Sequence, residues 1–591
     1  MTVSDDLKSD EAMSEELYAG SHPDFPVLSA AVDVKFDETR GRHMIANRPI
    51  PVGAVLLREH AFAVTVRRNE MARELCRTCI RHLAEQESDL ILCPTCLDAY
   101  TPFCSRACLK RAQNTFHPYE CGQHTVADKW DQDDNEFWRL VRVFSRVSVG
   151  ELVDCDPDNE RTRRDYCVLG SKQRDGIFRT NDYRSILSLV GHCRPRSTLT
   201  ESRAAENIKK AVKHLKDNAY FETSAWHASA LSQRDAEELL GRHMRAVLPR
   251  YNSNNFSMYP MSVIRNDAHD LETSNQYRPS AMYAVASLVN HSCSRNLYHQ
   301  FDGDQVEFRV VRPIKPGDEI TTNYGAYFGL YTTRAHRRQH LATDYNFVCE
   351  CTACRDDSDC NRLELEMSAL RCPKCAGPSC FDRKSYFELE PRFTDLELSD
   401  APTVSDLIDL LRSETDIDIS IATRCTRCEH EQAWSEQDLN EIRECADSAQ
   451  QCAARIYSAR RDQFVPLYER SKRLFFEHSR LLHELREKIV EFSIKERAHD
   501  RELMTEIWSG LISTTKYCFG MNSVETEIVL RERLKYLWLF KNEFTSDVLK
   551  KSLMDWYAMA HRYYGARAAR ELLRITAGPK CVVDLNSCLS E

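Results

Sequence analysis

Alternation of apolar and polar positions marks the first half of the chain. Val32-Asp33-Val34-Lys35-Phe36 alternates, a turn follows over Thr39 to Ala46, and after Pro49 to Gly53 the run Ala54-Val55-Leu56-Leu57 begins another strand. Residues 1–28 ahead of it lack periodicity and predict a disordered tail. From 125 to 250 the period changes to that of helices. Phe137, Leu140, Val141, Phe144 and Val147 recur at three-and-four spacing, as do Leu240, Met244 and Val247, and Ser232 to Asp235 supplies a capping start. Polar linkers are expected near Asp154–Arg164 and Pro195–Glu201. A short apolar run, Ser287-Leu288-Val289, ends in the polar pair Asn290-His291. Val306 to Val311 then alternates ahead of a turn from Pro313 to Gly317, which reads as strand, turn, strand and closes on Tyr324. Beyond about 435 the pattern is helix after helix: Leu474, Leu481, Leu485, Ile489 and Phe492 keep helical spacing, and Tyr536, Leu539 and Phe540 continue it. Breaks are expected near Pro466, Gly520 to Ser523 and Tyr564-Gly565, and a loose tail after Pro579. No 34-residue self-similarity is present.

With 591 residues the chain is too long for one core. A net charge of -10 gives no electrostatic footprint for nucleic acid, which is therefore not an expected partner. The acidic, polar N-terminus carries no secretory pattern, and no apolar run approaches a membrane span. The expected location is cytoplasmic and/or nuclear, with no membrane partner. Thiols stay reduced there, so 25 cysteines argue for metal ligation over disulfides.

Their spacing supports that. Cys76-x2-Cys79, Cys93-x2-Cys96, Cys104-x3-Cys108 and His117-x3-Cys121 are eight ligands in four pairs, enough for two tetrahedral Zn2+ sites. Spacing alone leaves the pairing open, and His124 and His82 stand as substitutes for His117. Further on, Cys349, Cys351 and Cys354 cannot complete a tetrahedron. Cys293 is the natural fourth ligand, ahead of His299 and Cys360. Two C-x2-C knuckles, Cys372/Cys375 and Cys425/Cys428, would make a ribbon-type site, with Cys380 as a substitute. Between them, Tyr386 to Ser420 holds ten acidic residues against two basic ones, and Leu407, Leu410 and Leu411 suggest a short helix.

Three motifs in order, N-H-S-C at 290–293, G-D-E-I-T-T-x-Y at 317–324 and Y-x-F-x-C-x-C-x2-C at 345–354, resemble the SET core and post-SET segment of SET-and-MYND (SMYD) protein lysine methyltransferases. The resemblance implies an α+β fold. Its parts are an N-terminal piece of SET (29–70), a MYND zinc finger (76–121), a helical SET insert (125–250), the SET core (251–348), a cysteine-rich post-SET zinc clamp (349–360), a candidate zinc ribbon with an acidic loop (361–434), and a C-terminal α-helical, TPR-like domain (435–578). The insert and the C-terminal helices would wall a substrate cleft. By the same resemblance the finger interleaves its sites, Cys76, Cys79, Cys104 and Cys108 holding one ion and Cys93, Cys96, His117 and Cys121 the other.

The implied activity is S-adenosylmethionine-dependent lysine N-methylation of a histone or non-histone protein. In-line transfer of a methyl group needs a neutral amine and a straight approach, so proximity and orientation supply most of the rate. Lysine has a solution pKa of about 10.4, and an apolar channel beside a positive sulfonium favours its uncharged form. Tyrosine suits such a channel, its ring walling the alkyl stem and its hydroxyl orienting the amine. Tyr324 takes that role, with Tyr345 as the second channel aromatic. The cofactor contacts implied are Arg40, Gly41 and Arg42 in the first turn, Asn254, Asn290, His291, Tyr324 and Phe347. Where the family has a second glycine in that first turn, this chain has His43. The alternative is a catalytically weak or inactive SET/MYND adaptor, for instance a corepressor scaffold. The partners implied are a protein with an exposed lysine and proline-containing peptides on the finger, with the chain itself a monomer.

Overall fold

The computed structural model describes residues 16–565 apart from 67–72, 82, 84–89, 99, 124–134, 156, 158–175, 192–197, 259–278, 326–332, 356–358, 382–407, 409–420, 455–459 and 521–522, together with 569–570, 572–573 and 585. The chain forms two compact units. One comprises Met1–Asn290, Asn296–Thr322 and Tyr563–Ile575, the other His291–Arg295, Asn323–Arg562 and Thr576–Glu591. The Asn290-His291 pair thus straddles the division, and Tyr324 falls in the same unit as the post-SET cysteines.

The first unit is built on three small antiparallel sheets. Strands β1 (Val32–Asp37), β2 (Gly41–Ala46), β10 (Glu319–Thr322) and β7 (Asn290–His291) lie in the order β1-β2-β10-β7. Strands β3 (Val55–His60), β9 (Gln305–Val310) and β8 (Leu297–Asp302) form the second, and β4 (Ala63–Thr65), β6 (Ser280–Met282) and β5 (Asn255–Ser257) the third. The β1–β2 register pairs Val32 with Ala46 and Asp37 with Gly41, so the chain turns only over 38–40, and Gly41–Ala46, expected as part of the turn, is a strand. Asn296 backs the edge of β10: its Nδ2 donates to the Glu319 carbonyl and its Oδ1 accepts from Thr321 N–H, both at 2.8 Å.

The four longest helices described in this unit are α1 (Arg106–Gln113), α2 (Asn135–Phe144), α3 (Thr198–Asp217) and α4 (Gln233–Ser253). The apolar stripes of α2 and α4 face one continuous core with the strands, Phe137, Leu140, Val141, Phe144, Leu240, Met244 and Val247 all being buried. Three sequence expectations change. The segment 16–28 is no tail: Phe25 and Leu28 are buried and Leu28 bridges to Leu57, an irregular packing that leaves no period to read. Helix α3 begins at Thr198, inside the expected linker, and the 154–164 linker lies mostly outside the described residues. Helix α4 runs through Pro249 to Ser253, because proline forfeits a single hydrogen bond near a helix end whose inner face is buried.

Glu59 on β3 ties the sheets to the turn that leads into Asn290. Its fully buried carboxylate accepts the N–H groups of Ala284, Val285 and Ala286 at 2.7 to 3.1 Å, at the start of the 3-10 turn Ala286–Leu288. Burial pushes the Glu59 carboxyl up to about 7, against those three N–H groups, which pull it down. A carboxyl whose folded value is raised contributes stability that is present below its ordinary value of 4.5 and lost as pH climbs through 7. Chemical denaturation is expected to show that contribution falling by about 3 kcal/mol over this window, with the slope absent in Glu59→Gln.

In the second unit a four-stranded ribbon, β11 (Leu370–Arg371), β12 (Pro378–Cys380), β13 (Ala422–Cys425) and β14 (Glu431–Ala433), follows helices α5 (Arg334–Tyr345) and α6 (Asp359–Met367). Helices α7 (Glu436–Ala454), α8 (Arg461–Leu474), α9 (Arg480–Lys495), α10 (Arg501–Phe519) and α11 (Val524–Leu539) then pack each on the next. Their shared core includes Phe464, Tyr468, Leu485, Ile489, Phe492, Ile507 and Trp508. Pro466 does not break α8, since buried Phe464 and Tyr468 hold the turns on either side. After α12 (Ser546–Tyr564) the segment Tyr563–Ile575 belongs to the first unit and not to the C-terminal helices. There the Tyr564 carbonyl accepts from Gln300 Nε2, and Gly565, at φ +79°, lies where a Cβ would meet the Arg309 guanidinium at 3.0 Å. The expected helix around Leu407 and the tail beyond Pro579 lie outside the described residues, save that Ile408 is buried in the helical core and Leu585 is buried too.

Candidate active site and metal centres

Four cysteine-rich clusters assemble, each with its donor atoms within 4.8 Å of one another: Cys76, Cys79, Cys104 and Cys108; Cys93, Cys96, His117 and Cys121; Cys293, Cys349, Cys351 and Cys354; Cys372, Cys375, Cys425 and Cys428. The finger is therefore interleaved, and Cys293 joins the post-SET trio across 56 residues of chain. Sulfur separations of 3.6 Å (Cys79–Cys104), 3.5 Å (Cys104–Cys108), 4.0 Å (Cys293–Cys349) and 3.5 Å (Cys293–Cys354) match the edge of a tetrahedron. That edge is about 3.8 Å for Zn–S bonds of about 2.3 Å. Neither His299 nor Cys380 enters a cluster: His299 faces Thr322 at 3.4 Å, and Cys380 packs in the helical core.

Local structure explains the placements. Ser105 caps α1 by accepting from Cys108 N–H, which turns Cys108 back toward Cys104. Gly303, in the β8–β9 hairpin, sits where a Cβ would lie 2.4 Å from the Cys79 carbonyl, so a glycine is required for the finger to seat there. Ion pairs from Arg81 to Asp302 and from Arg111 to Asp304, each 3.3 Å, flank that contact.

In the first unit the β1–β2 turn is held by Asp37, whose Oδ1 accepts from Thr39 and Arg40 N–H. Arg40 pairs with Asp37 and reaches Glu319 at 3.3 Å. Asn290 Nδ2 donates to both the Arg40 carbonyl and Glu319 Oε1 at 3.2 Å. Glu319 is thus the hub of this cluster, a role the sequence did not reveal although the residue lies inside a quoted motif. Gly41 adopts φ +64°, and nothing lies within 4 Å of the position its Cβ would take. His43 leaves that space clear. Its buried ring folds back so that Nδ1 is 3.0 Å from the Gly41 carbonyl. Arg42 donates to Ser188, and Asn254 Nδ2 donates to the carbonyls of Val190 and Arg250 at 2.8 Å, so both side chains brace the helical insert.

In the second unit the imidazole of His291 works in an unexpected way. Its Nδ1 accepts the Tyr324 backbone N–H at 3.0 Å, which places the ring proton on Nε2, 3.3 Å from Cys293 Sγ. Both nitrogens have partners inside the unit, so the ring links the cysteine cluster to Tyr324. The Tyr324 ring packs on Tyr345 with centroids 4.9 Å apart, and Tyr345 OH donates to the Tyr324 carbonyl at 3.2 Å. Tyr324, Tyr345 and Phe347 all pack against the cluster of Cys293, Leu341, Cys349, Ala353 and Cys354. Helix α5 delivers Tyr345 at its last position. Asn346, in left-handed conformation at φ 61°, ends the helix and turns the chain into Phe347 and the cysteines.

The four thiols are too close to ionise independently. Sharing of protons with its neighbours drives Cys349 well down, and the sulfur of Cys349 drives Cys293 well up, a conflict that a bound cation removes. Arg337 stands beside them, wholly buried. Its Nη2 donates to the Ala353 carbonyl at 3.1 Å and its Nη1 to Glu364 at 3.3 Å. Glu364 also accepts Arg334 N–H. Replacing Arg337 with methionine would strand the Glu364 carboxylate, and urea denaturation is expected to register a loss of about 3–5 kcal/mol.

The β-strands and the Asn290–Tyr324 motifs define a SET domain, and the SET domain family matches residues 41–325. Protein-lysine N-methyltransferase SMYD4 of Mus musculus is 22% identical over 435 residues, 62% of this chain and 53% of its own length. The Danio rerio SMYD4 is 24% identical over 405 residues, 59% of this chain and 53% of its own. N-lysine methyltransferase SMYD2 of Homo sapiens is 24% identical over 335 residues, 56% of this chain and 62% of its own. The chain thus carries a SET domain and is similar to SET-and-MYND proteins. It spans about half the length of the SMYD4 relatives that it matches.

Proposed function

We propose that the chain is a protein-lysine N-methyltransferase that uses S-adenosylmethionine and acts on a histone or non-histone protein presenting a lysine. The observation that carries this reading is the anchoring of Tyr324: its backbone is bonded to His291, its ring is stacked on Tyr345, and both rest on the Cys293 cluster. A phenol so fixed can orient a neutral amine without reorganising at the moment of transfer. When bound, S-adenosylmethionine would supply an electrophilic methyl group, and Tyr324 with Tyr345 would orient the deprotonated lysine amine toward it. By the family resemblance the residues assigned to the cofactor are Arg40, Gly41, Arg42, Asn254, Asn290, His291, Tyr324 and Phe347. The open space over Gly41 and the half-buried Asn290 amide fit that role. Tyr324 and Tyr345 are assigned to the lysine.

The two finger clusters and the Cys293 cluster are proposed to hold one Zn2+ each, as their tetrahedral edges support. The finger's own apolar cluster is small, with only Cys76, Leu83, Phe103, Ala112 and Phe116 buried in it among the described residues, so its folding would draw on its metal. The substrate is proposed as a protein partner, with proline-containing peptides on the finger. A reducing compartment, cytoplasmic and/or nuclear, suits a chain in which no disulfide forms among the described cysteines. No helix among the described residues is long and apolar enough to cross a membrane. Titration calorimetry of the zinc-replete chain with S-adenosylmethionine, followed by peptide-array methylation read by mass spectrometry, tests the proposal. Absence of cofactor binding would leave the adaptor reading in its place.

A further inference from the structure

The Cys372, Cys375, Cys425 and Cys428 cluster lies outside residues 41–325 and outside everything that methyl transfer asks of this chain. We propose that it is a separate structural zinc site of ribbon type, which staples the ribbon to the helices that follow. The proposal does not depend on the activity assigned above.

The backbone carries the first argument. After Cys375 the chain turns through Ala376 at φ 57°, whose N–H donates to the Cys372 carbonyl at 2.9 Å, while Cys372 N–H donates to the Gly377 carbonyl at 2.9 Å. After Cys428 it does the same. Glu429, also at φ 57°, donates to the Cys425 carbonyl, and Cys425 N–H donates to the His430 carbonyl, each at 2.9 Å. The Cys76–Cys79 pair of the finger repeats the pattern with Ile80 at φ 60°, its N–H to the Cys76 carbonyl at 2.8 Å and Cys76 N–H to the Arg81 carbonyl at 2.9 Å. Left-handed backbone is disfavoured for alanine, glutamate and isoleucine alike. Its recurrence one residue past the second cysteine of each pair is explained by wrapping two sulfurs of a C-x2-C turn around one ion. In the ribbon Gly377 N–H additionally donates to Cys375 Sγ at 3.4 Å, as metal-bound thiolates require.

The second argument is the sulfur geometry. Cys372 and Cys428 are 3.7 Å apart and Cys375 and Cys425 are 3.5 Å apart, too long for disulfides and equal to the edges seen in the other clusters. Strand pairing holds the two knuckles face to face, Ser379 opposite Cys425, with Thr426 N–H on the Pro378 carbonyl. Cys380, the sequence alternative, is buried with Phe381 in the helical core, and burial pushes its thiol up to about 12, as suits a neutral packing residue.

The knuckles are also tied outward. Thr426 Oγ1 donates to Glu366 on α6, which accepts Tyr517 OH from α10 through its other oxygen. Leu370 bridges to Phe475, and Phe476 N–H donates to the Ala369 carbonyl. An ion at the knuckles therefore fixes the strands that grip α6, α8 and α10.

Elemental analysis of the full chain after gel filtration is expected to give four Zn2+ per chain, and Cys375→Ser/Cys428→Ser to give three. Three in both would overturn the proposal. Because the double variant can misfold, the native protein supplies an independent reading. Cys375 and Cys428 are half-exposed, yet N-ethylmaleimide labelling followed by peptide mass spectrometry should modify them at least about tenfold more slowly before chelation than after it. Equal labelling before and after chelation overturns the site. Hydrogen exchange at 369–380 and 422–433 should rise on chelation together with 475–479; exchange unchanged at 475–479 would refute the staple.

Discussion

Tyr324→Phe is expected to bind S-adenosylmethionine and retain its full zinc content while kcat falls about a hundredfold or more. The substitution removes one oxygen and leaves the rest of the anchoring. The ring still stacks on Tyr345, and the backbone N–H still meets His291 Nδ1, since neither contact uses the phenol. Tyr345→Phe removes the hydrogen bond to the Tyr324 carbonyl and acts through position alone, so a smaller loss, about tenfold, is expected. Single-turnover methylation read by mass spectrometry, beside calorimetric cofactor affinity, separates the two. If Tyr324→Phe keeps wild-type kcat, the phenol is not the orienting group and the assigned mechanism fails.

Removing a ligand from the Cys293 cluster should have the second large effect, and it should appear in the metal and the chemistry together. Cys351→Ser is expected to lose its ion, because even a missing partner outside the ligand sphere costs about 10–100-fold in metal affinity. Without the ion the conflict among Cys293, Cys349 and Cys354 returns, and the His291 Nε2 proton loses its thiolate acceptor. Tyr324 then loses the ring that holds its backbone, so kcat/KM should fall by more than about a hundredfold. The finger sites should keep their metal. Zinc counting by native mass spectrometry and methylation of the same sample check both halves. An active enzyme lacking that ion would show that His291 does not transmit the cluster's geometry to the tyrosine.

Legibility from sequence followed the range of each interaction. The cysteine pairs were readable because close soft ligands constrain one another locally, whereas the interleaving of the finger came from the family resemblance, and Cys293 stood first among three candidates for the fourth ligand of the distant trio. Helices with apolar stripes, such as Gln233–Ser253 with its Ser232 cap, were readable for the same reason. Hidden were the roles that need a partner far along the chain. Glu319 joins Arg40 to Asn290, Glu59 gathers three N–H groups from 284–286, and Arg337 bridges Ala353 to Glu364. Nothing in composition or period marks these residues. The family resemblance implies His291 as a cofactor contact, and only the fold shows that its ring also joins Cys293 to the Tyr324 backbone. The ordered segment 16–28 escaped because it packs through Phe25 and Leu28 without repeating, and the return of Tyr563–Ile575 because its partners, Gln300 and Arg309, lie more than 250 residues earlier.

The pairing of Ser379 with Cys425 has a bearing on how such chains can diverge and be engineered. With the two knuckles zipped at their base, the forty-nine residues between Cys375 and Cys425 have their ends already together. Closing a longer stretch costs only about 0.6 kcal/mol for each doubling of length. Buried Ile408 marks the point within it that must be kept. Away from Ile408 and from the paired strands Pro378–Cys380 and Ala422–Cys425, gene insertions could accumulate over generations, and a fluorescent reporter could be spliced in, with the helices beyond still seated.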